Sequence, residues 1–129
     1  MPLPVNRPLN EATITESTTS IATSPIAVTG VAPVAGYVQR VMAAAGGTTT
    51  GTTNVTVSIN GGSDIAGGNL NIPAGTGARA GNVWELGVTG GGATDGVWIN
   101  EGDQVTFTPS GGTGSSINGA FALVIRTIT

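Results

Sequence analysis

The chain has 129 residues, 39% of them apolar and only 9% charged, with a formal net charge of −3 and neither Cys nor His. Its cations, Arg7, Arg40, Arg79 and Arg126, are scattered, so no basic stripe exists for phosphates and nucleic-acid binding is excluded. The missing Cys and His remove disulfides, thiol chemistry and imidazole catalysis, and the 22 Gly point to turns, the excess over the usual ~7% being large.

Residues 1 to 24 read as an extended N-terminal arm, ahead of a β domain over residues 25 to 129. Pro2, Pro4 and Pro8 favour an extended, polyproline-like path. The segment then becomes a Thr/Ser run in which apolar residues occur only as beads: Leu3, Val5, Leu9, Ile14 and Ile21. Such a segment has too little apolar surface to fold alone. Insertion of five beads does not offset the entropy of ordering it, so the arm is expected to pair its backbone with a neighbouring sheet or groove as well. Pro2, Leu3, Pro4, Val5, Arg7, Leu9, Ile14 and Ile21 are the candidate contact residues. No basic segment followed by an apolar core marks a secretory signal at the start, and no apolar run approaches the ~20 residues of a membrane span. The expected place of synthesis and assembly is therefore a cytoplasm, with no membrane partner.

From Pro25 onward, short alternating runs predict strands. Ile26-Ala27-Val28 begins the first. Tyr37 to Ala43 forms the next, with Tyr37, Gln39, Val41 and Ala43 on one face and Val38, Arg40 and Met42 on the other. Gly36 and Gly46-Gly47 leave room for only two helical turns between them, so a strand is preferred to a helix there. A Thr/Gly loop over Thr48 to Thr53 follows. Val55, Val57 and Ile59 then point inwards, and Asn60-Gly61 signals a hairpin turn. Asn69 to Ile72 alternates and ends at Pro73. Val83 to Val88 places Trp84, Leu86 and Val88 on one face. Val97-Trp98-Ile99 runs into a turn over Asn100 to Asp103. Val105 and Phe107 face inwards on a strand stopped by Pro109. The last strand, Ala120 to Ile128, is apolar on both faces and is expected to be central or covered by another subunit. Seven or eight short strands at this spacing predict an all-β, antiparallel sandwich, with a jelly roll as the favoured form.

Candidate chemistry is sparse. Glu101 and Asp103 lie in a Gly turn, where Asp is expected for its backbone hydrogen bonds. Asp95, Glu101 and Asp103 lack calcium-loop spacing. Ser115 and Ser116 have no His to activate them. The Gly clusters at 46–47, 67–68 and 90–92 match no phosphate-binding pattern and no Lys accompanies them. No catalytic residue, cofactor or metal site is expected, and the chain is read as non-enzymatic. Trp84 is expected in the core. Trp98 points away from Val97 and Ile99, which makes it, with Tyr37, the candidate oligomer or ligand surface.

A run of motifs resembles a β-sandwich domain of tailed-bacteriophage structural proteins. They are Pro33-Val34-Ala35-Gly36-Tyr37-Val38, the hairpin Val55-Thr56-Val57-Ser58-Ile59-Asn60-Gly61, Gly68 to Ala74, the turn Ile99 to Val105, and the closing Val124-Ile125-Arg126. The resemblance spans Ala35 to Arg126 and leaves out the arm. With the arm added, the layout is most like a capsid decoration, or cement, protein. It implies a homotrimer on the capsid exterior that binds the major capsid protein and stabilises the shell. The alternative it implies is a head- or tail-fibre module binding host surface glycans through Trp98 or Tyr37.

Overall fold

A computed structural model describes residues 11–65, 70–72, 81–85, 97–113 and 116–127. Across them the chain is all β, without helix. The strands are β1 (Glu11–Thr18), β2 (Val28–Val31), β3 (Gly36–Ala45), β4 (Thr53–Ile59), β5 (Leu70–Ile72), β6 (Gly81–Glu85), β7 (Val97–Ile99), β8 (Gln104–Ser110) and β9 (Gly119–Arg126). They form two antiparallel sheets, ordered β1-β9-β3-β6 and β2-β8-β4-β5. β7 also pairs with β3: it opposes Gly36 to Val38 while β6 opposes Arg40 to Ala44, both on the side of β3 away from β9. The two short strands thus share one position, and each sheet is four strands wide. The predicted antiparallel β-sandwich is the observed architecture.

Period-two alternation builds the core. On β8, Val105, Phe107 and Pro109 are buried between Gln104, Thr106 and Thr108, and on β4 Val55 and Val57 are buried beside Thr56. From the opposite sheet, Phe121, Leu123 and Ile125 of β9 meet them, with Val38 and Val41 of β3. Phe107 and Phe121 stack across the two sheets with ring centroids 5.2 Å apart. β9, apolar on both faces, is central, flanked by β1 and β3. The Asn60-Gly61 hairpin is built as its sequence predicts. Both residues have positive φ, 53° and 72°, and the Gly62 N–H closes the turn on the Ile59 carbonyl at 3.0 Å.

The arm is where the structure departs most from the sequence reading. Residues 11 to 18 are β1, paired with β9 of the same chain in register from Glu11–Arg126 to Thr18–Gly119. Ile14 is 5% exposed and Ile21 fully buried, both in the sandwich core. The Thr/Ser run that reads as part of the arm closes a loop on itself. The buried Thr18 hydroxyl donates to the Ile26 carbonyl at 2.8 Å, and the Ser20 hydroxyl bonds the carbonyls of Ala22 and Thr23. The Ile21 N–H donates to the Ile117 carbonyl at 2.8 Å, which seats Ile21 against the end of the sandwich. Gly30 of β2 completes this edge, because a Cβ there would lie 2.7 Å from a methyl of Ile14 and 2.9 Å from the Glu16 carboxylate. Pro2, Leu3, Pro4, Val5, Arg7 and Leu9 lie outside the described residues.

Smaller differences have local causes. Val38 and Val41, assigned to opposite faces by strict alternation, are both buried. The register slips between Val38 and Arg40, so Gln39 is the extra residue of a β-bulge and the alternation is reset. β8 continues through Pro109 rather than stopping before it. β2 begins at Val28 opposite Phe107, so Pro109 lies beyond the β2 pairing, where a missing N–H breaks no β2–β8 bond. The first strand after Pro25 starts at Val28, and Ile26 is left 49% exposed. The strand expected over Val83 to Val88 is β6. Leu86, Val88 and the side chain of Trp84 lie outside what is described, as does Ile128 at the end of the last strand.

Candidate functional site

The outer faces of the two sheets differ in chemistry. That of β2-β8-β4-β5 is mostly polar, presenting Thr29, Thr106, Thr108, Thr56, Ser58, Asn54 and Asn71, with Val31 60% exposed on β2 and the acidic Asp64 bridged opposite Ser58. That of β1-β9-β3 carries Met42, Ala44, Ala120 and Ala122 towards one end and two exposed aromatics at the other. Those aromatics are the Tyr37 and Trp98 singled out from the sequence, 40% and 45% exposed.

Strand register brings them together. Tyr37 of β3 sits directly opposite Trp98 of β7, and their rings meet edge to face, with centroids 5.0 Å apart and planes at 80°. On its other side Tyr37 is opposite Arg126 of β9, which in turn is opposite Glu11 of β1. All four are exposed, so Trp98, Tyr37, Arg126 and Glu11 make one cross-strand row on the outer face. Among the described residues, no side-chain hydrogen bond or ion pair engages Arg126 or Glu11. Gly36, next to Tyr37, lets β3 approach this closely, since a Cβ at that position would overlap the Arg126 carbonyl.

A hydrogen-bonded turn holds the Trp98 end. The indole Nε1–H donates to Asn100 Oδ1 at 2.9 Å. The Asn100 N–H donates to Asp103 Oδ2 at 2.8 Å, and Asn60 Nδ2 donates to Asp103 Oδ1 at 2.9 Å. The Gln104 N–H closes the network on Asn60 Oδ1 at 2.8 Å. Gly102, with φ of 89°, supplies the left-handed residue the Asn100–Asp103 turn requires. The Asn100 N–H, then the Asn60 amide, hold the Asp103 carboxyl below its ordinary value of 3.8. Asp103 is therefore a turn anchor, the role its sequence context predicts. Among the described residues no three His, Cys, Asp or Glu side chains come together as a metal site, and no helix is long and apolar enough to cross a membrane.

Of the other candidate residues, Ile14 and Ile21 belong to the core and cannot contact a partner. The row adds Arg126 and Glu11, which sequence reasoning did not reach. Nothing local marks them, because they join Tyr37 only through the registers of β9 with β3 and β1. Compared with known proteins, the chain matches no protein-family model and no curated sequence.

Proposed function

We propose that the chain is a non-enzymatic virion protein of a tailed bacteriophage, a head decoration protein that binds the major capsid protein and stabilises the shell from outside. In this reading it acts as a homotrimer and assembles in the host cytoplasm. The observation that carries the proposal is the nested strand order, β1-β9-β3-β6 over β2-β8-β4-β5. Strands from the two ends of the chain pair with one another throughout, and we read the pattern as a jelly roll, an architecture of viral capsid and lectin domains. Fold analogy supports a class of role rather than a site. The motifs that resemble phage sandwich domains narrow that class to the virion.

The attachment role passes to residues 1 to 10, since Ile14 and Ile21 are committed to the sandwich. Leu3, Val5 and Leu9 supply apolar beads between the rigid Pro2, Pro4 and Pro8, and Arg7 a cation. They precede β1, an edge strand of its sheet. The test is sedimentation with empty capsids. The full chain binds saturably, and the chain lacking residues 1–10 stays folded but loses binding to background. Equal binding by the two would remove the docking role, and no binding by either would remove the decoration reading.

A second reading, a fibre module for host glycans, is favoured by the exposed Tyr37–Trp98 pair.

A further inference from the structure

We propose that the row Trp98–Tyr37–Arg126–Glu11 is a carbohydrate-binding site for a pyranose ligand. The proposal rests on the second reading only in taking the ligand to be a glycan; it does not depend on where in the virion the protein sits.

Chemistry and shape carry the argument. Because their planes stand at 80°, Tyr37 and Trp98 form a corner, one ring a floor and the other a wall. An aromatic face is complementary to the C–H face of a pyranose, and a wall limits where the ring can slide. The corner is set before any ligand arrives. Both residues are on strands, the rings pack on each other, and the indole N–H is already bonded to Asn100. The immobilisation cost on binding is correspondingly small.

The polar half of the row is equally suited. Arg126 presents a planar fork of donors and Glu11 a pair of acceptors, on adjacent strands about 5 Å apart and with no ion pair between them. Vicinal hydroxyls, each both donor and acceptor, can satisfy the two together. A lone phosphate or carboxylate would gain from Arg126 but be repelled by Glu11, so the pair favours a neutral polyol over a simple anion.

Size separates a sugar from a protein partner. Four positions at a strand spacing of ~4.8 Å give a row about 14 Å long, the reach of a short oligosaccharide. A specific protein interface needs roughly 800 Å² from each partner. The next row of the same face is Thr13, Val124 and Arg40, and its Val124 is only 4% exposed, so the aromatic corner does not run into an open apolar surface.

The test uses the full chain and methyl glycosides of glucose, galactose, mannose and N-acetylglucosamine, followed by ¹H–¹⁵N NMR titration. The expected result is millimolar binding to at least one sugar, with shifts centred on the Trp98 indole, Tyr37 and Arg126. Trp98→Ala abolishes binding while the rest of the spectrum stays native, and Trp98→Phe restores part of it. Arg126→Gln and Glu11→Gln each weaken it roughly tenfold, the scale of a hydrogen bond to a charged group. The inference is overturned if no sugar shifts the row, or if binding survives Trp98→Ala. It is also overturned if the row shifts with protein concentration alone, which would identify a second copy as its occupant. The fibre reading fails separately, by finding the protein seated on the capsid shell rather than in a head or tail fibre, and that result does not alter the sugar titration.

Discussion

Asp103 shows how much one exposed carboxylate can organise. It accepts from the Asn100 backbone and the Asn60 side chain, and so joins the turn after β7 to the hairpin after β4. Both bonds favour its ionised form, which is why its pKa lies below 3.8. A group whose pKa is depressed on folding contributes stability that is complete above its unfolded value and fades as pH falls through the folded one. Asp103→Asn is therefore expected to lower the melting temperature at neutral pH, with the gap to the parent closing as pH drops below about 3.8. Melting curves over a pH series check this; a gap that stays constant into acid would show that the charge is not what holds the turn. The turn itself was legible in the sequence, as Asn and Asp around Gly. Its bond to Trp98 was not, because a side-chain partner two residues away is one option among several until the strand is placed. Gln39 was illegible for a related reason. A bulge is one extra residue among β-formers, and only the register against β9 reveals it.

At the scale of elements, β1 changes the account most. Its composition, Thr and Ser with isolated Ile, is that of an arm, and the same pattern is that of an edge strand with one face buried. Glu11, Thr13, Thr15 and Ser17 face out while Ile14 and Thr18 are buried. What distinguishes the two cases is the presence of a strand to pair with, and β9 lies over a hundred residues downstream. Local pattern therefore found the strand-forming segments from Pro25 onward, where alternation is strong and Gly turns bound each run. It missed the one whose partner is most distant. Ile14→Ala separates the two cases by experiment. As a core residue, Ile14 is expected to cost about 2–4 kcal/mol of stability when truncated, read from urea unfolding. A bead on a solvated arm would change the midpoint hardly at all.

For the whole molecule, the consequence is a shorter strap and a more complete sandwich. Composition alone divides the chain into an arm that binds and a β domain that fills space. The structure assigns residues 11 to 24 to the second part, so attachment in our reading falls to the ten residues ahead of β1. The sandwich in turn has more than bulk to offer. One outer face is mostly Thr, Ser and Asn, and the other carries an aromatic corner with Arg126 and Glu11 in the same cross-strand row. Composition, poor in reactive groups, had pointed to recognition rather than catalysis, and topology is what collects the few suitable side chains into one row. Imaging the intact virion by electron cryomicroscopy tests the central functional claim most directly. A head decoration protein would show one sandwich per copy on the outside of the head, at fixed lattice positions, clustered in threes with the β1 edge towards the shell. Density confined to the tail or its fibres, or no density on the virion at all, would contradict it.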